Sequence, residues 1–119
     1  MPNKEIFLIL IYQLNMLSSF EPLVKCLKEL ERGGETTHFV FKIYILMIQA
    51  FKSNPVFLKE LDYENIDDFF LEFLLFTSLI ENVKIPNVEA VREVVLDLNM
   101  VLKTDLLYEN RNQKRFKLF

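Results

Sequence analysis

Thr36-Thr37-His38-Phe39-Val40-Phe41-Lys42-Ile43-Tyr44-Ile45-Leu46-Met47-Ile48-Gln49-Ala50-Phe51-Lys52 is the stretch on which the fold turns. Phe39, Phe41, Ile43, Ile45 and Met47 alternate as one face of a strand does, and the residue types are aromatic and β-branched. Against that, the apolar run continues for about 13 residues without a turn signal, longer than an ordinary strand and normal for a buried helix. Lys42 and Gln49, seven apart, also share one helical face. The stretch is read as helix. The fold class that follows is all-α, a compact bundle of about five to six helices. An α+β fold is the alternative if residues 37–48 form a strand.

The flanking segments carry helix signals of their own. Upstream, Ser18 or Ser19 is placed to cap a helix, with Glu21 at the return position of a capping box and Pro22 in the tolerated first turn. Phe20, Leu23, Val24, Leu27 and Leu30 keep helical spacing, with Lys25, Lys28, Glu29 and Arg32 opposite. Gly33-Gly34 supplies a left-handed stop. Downstream, Ser53-Asn54-Pro55 is a boundary opening a short helix through Leu61. Another helix runs from Ile66 to about Glu81, with acids at the positive end of its dipole. Ile85-Pro86-Asn87 ends that segment, and Asn87 caps a last helix to about Lys103.

Two of these helices are informative about packing. Phe69, Phe70, Leu71, Phe73, Leu74, Leu75 and Phe76 make a segment apolar nearly all round, the mark of a central helix or one buried on two sides. Val88, Val91, Val95, Leu98 and Leu102 step three, four, three, four, a coiled-coil-like seam that Val94 and Val101 widen and that Glu89, Glu93 and Asp97 back with acid. With 119 residues, twelve Phe and twenty Leu, the chain holds more apolar side chain than a small domain easily encloses. Self-association is therefore expected, a homodimer above all, or an obligate protein partner. The seam residues Val88, Val91, Val95, Leu98 and Leu102 are the candidate interface.

Charge is split along the chain. Glu60 to Asp105 holds eleven acids against three bases, whereas residues 110–119 hold four bases and no acid. The domain reading is a helical body over 1–109 and a basic, aromatic C-terminal tail over 110–119. A net charge of −3 gives no general attraction to nucleic acid, so such a contact would be local. In the tail, Arg111, Lys114, Arg115 and Lys117 suit phosphates, and Phe116 or Phe119 suits stacking on a base. Nucleic acid is thus a candidate partner through the tail.

The tail segment Gln113-Lys114-Arg115-Phe116-Lys117-Leu118-Phe119 also resembles the short peptides by which replication and repair proteins dock onto sliding clamps. Those peptides begin with Gln, place an aliphatic residue three on and end in aromatic or Leu-Phe residues; here Phe116 stands in the aliphatic place. The resemblance covers seven residues. It implies that Gln113 hydrogen-bonds at a pocket rim while Phe116, Leu118 and Phe119 are buried anchors.

Little in the chain points to catalysis, and no catalytic residue, cofactor or metal is expected. His38 is the only histidine and has no neighbouring ligand in sequence. Cys26, the only cysteine, falls among Leu23, Val24 and Leu27, where a thiol acts as a small hydrophobe, and a reducing, intracellular or cytoplasmic compartment is expected. The acid cluster Asp62, Glu64, Asp67, Asp68, Glu72 lacks the glycine of a calcium loop and the Glu-x-x-His pairs of a di-iron bundle. There is no phosphate-cradling glycine loop and no Gly-x-Ser-x-Gly elbow. The apolar stretch Ile6–Leu17 is interrupted by Gln13 and Asn15 and falls well short of the roughly 20 residues that span a bilayer, so no membrane association is expected. The scarcity of Ala, Gly and Arg beside abundant Leu, Phe, Ile, Asn and Lys is the bias of an AT-rich genome. The function expected is a non-catalytic protein–protein interaction or assembly module, with a nucleic-acid-associated accessory factor as the alternative.

Overall fold

The structure, a computed structural model, describes residues 4–54 and 66–98. Within them the chain forms five helices and no strand: α1 (Lys4–Met16), α2 (Phe20–Glu31), α3 (Thr36–Ser53), α4 (Ile66–Ile80) and α5 over 88–98. The expected all-α bundle is what is observed. The helix expected over 55–61 and the boundary at 109/110 lie outside the described residues.

The deciding stretch is one continuous helix, α3. Val40, Ile43, Tyr44, Met47, Ile48 and Phe51 are all buried, steps of three, one, three, one and three that only a helix brings to one side. Every second residue of the apparent strand pattern is divided differently: Ile43 and Met47 go to the core, Phe41 and Ile45 to the surface. Length, not alternation, carried the correct signal.

Three helices end in the same way. Gly33, φ 90°, follows α2; its N–H donates to the Leu30 carbonyl, and the Gly34 N–H donates to the Glu29 carbonyl at 2.8 Å. This paired bonding around a left-handed residue is a Schellman motif. Ser18, φ 57°, does the same after α1, with Ser18 N–H to Asn15 O and Ser19 N–H to Leu14 O. Asn82, φ 55°, repeats it after α4, with Asn82 N–H to Leu79 O and Val83 N–H to Ser78 O. At Ser18 this replaces the expected capping box: a residue in the left-handed region closes the preceding helix and cannot cap the next one. Ser19 takes the N-cap place of α2, but its hydroxyl donates back to the Leu17 carbonyl and not forward into the helix. The resulting bend sets α1 and α2 at 111°.

The cap expected at Asn87 is present. Its Oδ1 accepts the Ala90 N–H at 3.0 Å, at the third residue of α5. The loop before it is tied across the fold, where Glu31 at the end of α2 accepts the Lys84 backbone N–H at 2.6 Å.

The helices share one hydrophobic core. α2 packs against α1, α3 and α4. α4 is buried on more than one side, in keeping with its nearly all-round apolar pattern: Phe69, Phe70, Leu71, Phe73, Leu74 and Phe76 are buried. The Phe7 ring of α1 lies 5.2, 5.7 and 5.3 Å from the rings of Phe69, Phe73 and Phe76. On another side, Phe70 meets Tyr44 edge-on and Phe69 meets Phe51, joining α4 to α3. Thr77 and Ser78 are also buried, and each hydroxyl donates to the carbonyl four residues back, so the core holds two polar groups without orphaning them.

Candidate functional site

The seam of α5 faces inward. Val91 and Val95 are each only 3% exposed and belong to the core; Val94 and Leu98 pack against it, and Val88 is half-buried. The three–four spacing therefore marks how α5 packs within its own chain, with Val95 and Leu96 of α5 beside Leu71 of α4. Leu102 lies outside the described residues, as do the tail residues Arg111, Gln113, Lys114, Arg115, Phe116, Lys117, Leu118 and Phe119 with both readings placed on them.

What the structure does leave on the surface is the outer side of α1. Leu8, Ile9, Tyr12 and Met16 are exposed by 47, 52, 65 and 66%. At 100° per residue these four span one continuous face, opposite the face that buries Phe7, Leu10 and Leu14. α1 is thus apolar on both sides, and the core uses only one. Leu8, Tyr12 and Met16 follow each other at intervals of four, so their side chains line up along the helix. This surface goes unnoticed in the sequence because Ile6–Leu17 is weighed there only as a membrane span. The signal available was that its apolar residues fall on every side of a helix, more than one core face takes up.

Smaller exposed apolar groups lie elsewhere: Leu79 and Ile80 at the end of α4, Phe41 and Ile45 on α3, and Leu96 on α5. None forms a stripe of comparable length on one helix.

The groups considered for chemistry are dispersed. Cys26 is free and buried, and burial pushes its thiol pKa up, with the Lys42 ammonium opposing and the Glu29 carboxylate adding to the rise. A thiol held protonated is a poor nucleophile. His38 is exposed, with its ring edge-on to Phe39 at 4.9 Å. Of the acid cluster, Asp67 and Asp68 stand in the first turn of α4, where they complement its dipole. Asp62 and Glu64 lie outside the described residues. Among the described residues, no group of three or more His, Cys, Asp or Glu side chains is placed to hold a metal ion. Also among them, no single helix is long and apolar enough to cross a membrane.

The chain is thus an all-α bundle with one conspicuously apolar outer helix face. Comparison with protein-family models, with curated proteins and with solved structures finds no match.

Proposed function

We propose that this protein is a non-catalytic interaction module that self-associates through the outer face of α1. The observation that carries the reading is the exposed stripe Leu8, Tyr12, Met16, with Ile9 beside it. Isolated apolar residues on a surface are ordinary, but a contiguous stripe costs solubility and marks contact with another molecule.

The stripe fits a second copy of the same chain. Leu8 and Met16 stand four residues to either side of Tyr12. In an antiparallel pair of α1 helices with the two-fold axis at Tyr12, Leu8 meets the partner's Met16 and the two Tyr12 rings meet each other. That is the isologous arrangement a two-fold dimer requires. A 13-residue helix is about 20 Å long, so its face offers only a few hundred Å² per copy, at the small end of specific interfaces. The dimer is therefore reversible and concentration-dependent.

A cross-link tests this directly. In a chain carrying Cys26→Ser and Tyr12→Cys, residue 12 stands on the two-fold axis and forms an intermolecular disulfide under mild oxidation. The control carries Cys26→Ser and Lys28→Cys, on the polar face of α2, and forms no disulfide-linked dimer although its α1 face is intact. Equal cross-linking of the two, or none at residue 12, defeats the reading.

A second reading rests on the tail's charge, four bases and no acid over residues 110–119. It makes the chain a nucleic-acid-associated factor, tethered to a sliding clamp through residues 113–119. Its test is binding to single-stranded DNA that weakens with salt and is lost in a chain ending at Tyr108. Binding indifferent to both removes it.

A further inference from the structure

A groove of about 390 Å³ runs between α2 and α3 and shares no lining residue with the α1 stripe. Its walls are Pro22, Lys25 and Glu29 of α2 and Phe39, Lys42 and Leu46 of α3, and the buried Cys26 also lines it. The volume falls within the range of small-molecule sites, about 300–1,000 Å³. Those α2 residues, Pro22 to Glu29, are seven helical steps from end to end, roughly 10 Å, so the groove suits a slender apolar body.

Cations outnumber carboxylates in its lining, two to one. Lys25 and Lys42 stand on opposite walls, one from each helix. The single carboxylate in the lining, Glu29, is already engaged by the Arg32 guanidinium at 3.1 Å. The Glu21 partner of Lys25 lies at 3.8 Å with both side chains mostly in water, a contact that leaves the ammonium open to a better-placed anion. Lys42 holds its ammonium 5.8 Å from the centre of the Phe39 ring, at the groove. On a chain of net charge −3, an apolar slot flanked by two ammonium groups is a local reversal of sign.

We propose that the α2–α3 groove binds a small anionic amphiphile, its apolar body lying along Pro22, Phe39, Leu46 and the Cys26 thiol and its anionic head held between Lys25 and Lys42. The lysine stems add to the apolar walls while their heads remain in water, so one pair of side chains serves both halves of such a ligand. The site shares no residue with the α1 surface proposed for self-association.

Cys26 is the sole thiol, so its slow alkylation by iodoacetamide, followed at alkaline pH where the raised thiol yields thiolate, reports on this groove. The full chain is titrated with decanoate below its micelle-forming concentration, and in parallel with decyltrimethylammonium, which has the same apolar chain and the opposite charge. The expected result is saturable protection of Cys26 by decanoate, at least about tenfold tighter than by the cation. In a Lys25→Glu, Lys42→Glu variant with an unchanged helical circular-dichroism spectrum, decanoate binding weakens by at least about tenfold and the preference reverses. Equal protection by the two amphiphiles, or none by decanoate, overturns the proposal. So does protection that rises with protein concentration alone, which assigns the groove to a second copy of the chain.

Discussion

Phe7 and Tyr12 stand on opposite sides of α1, the first fully buried against three phenylalanine rings of α4, the second 65% exposed. Five residues apart, they are rotated by about 140° around the helix axis. Their substitutions separate folding from assembly. Phe7→Ala removes a buried ring and is expected to cost about 3–5 kcal/mol in chemical denaturation, with a lower melting temperature. Tyr12→Asp removes no core contact and is expected to shift stability by less than about 0.5 kcal/mol at concentrations where the chain is monomeric. A large loss from Tyr12→Asp under those conditions would place the ring in the fold and not at an interface.

Val95 presents the converse case. The coiled-coil-like seam invites the expectation that Val95→Asp dissociates an oligomer while leaving the helices intact. With Val95 in the core beside Leu71, the substitution instead buries an unpaired carboxylate. The expected outcome is unfolding, or a loss of more than about 3 kcal/mol, read from circular dichroism and urea titration. A well-folded Val95→Asp monomer would show that the seam is an interface after all.

The Schellman endings yield a prediction of opposite sign. Ser18 and Asn82 occupy left-handed backbone at φ 57° and 55°, a region in which a side chain costs about 1 kcal/mol and glycine costs none. Ser18→Gly and Asn82→Gly are each expected to stabilise the fold by a few tenths to about 1 kcal/mol, the smaller gain at Asn82 because Asn tolerates this region best. At Gly33–Gly34 the reverse holds, for two different reasons. Gly33→Ala is strained by φ 90° alone, although the space around it is open. Gly34→Ala brings a methyl group to 2.7 Å from the Phe39 ring and 2.8 Å from the Glu29 carbonyl, so the turn must shift. Thermal melts of the four single variants check the signs.

The buried Cys26 thiol predicts a pH dependence. Its folded pKa is raised, chiefly by burial, so the fold favours the protonated form. Its contribution to stability is complete below the thiol's ordinary range and is lost as pH rises from there through the raised folded value. Stability is therefore expected to fall on the alkaline side more steeply than in Cys26→Ala, where that dependence is absent. Identical alkaline profiles for the two proteins would contradict the assignment.

These cases also show what the sequence made legible. Helix α3 was readable because a largely apolar run of about thirteen residues without a breaker exceeds a strand's length. The Gly33–Gly34 stop and the Asn87 cap were readable because each is a local backbone requirement met by a characteristic residue. The endings at Ser18 and Asn82 were not, since a left-handed stop at Ser or Asn carries no marker as plain as glycine; in the fold each is followed by a buried residue, Ser19 and Val83. The seam of α5 was recognised as a buried face, but periodicity tells that a face is covered and not by what. The outer face of α1 was missed for a related reason. A helix that is apolar all round has no preferred orientation in its pattern, and only the packing of Phe7, Leu10 and Leu14 decides which side remains outside.

Light scattering at several concentrations, on the intact chain, on Tyr12→Asp and on a chain ending at Tyr108, tests the central claim most directly. The expected result is a mass that rises toward twice the monomer value with concentration in the intact and shortened chains, and a monomer throughout in folded Tyr12→Asp. A monomer at every concentration in the intact chain, or a dimer that persists in Tyr12→Asp, would contradict assembly through α1.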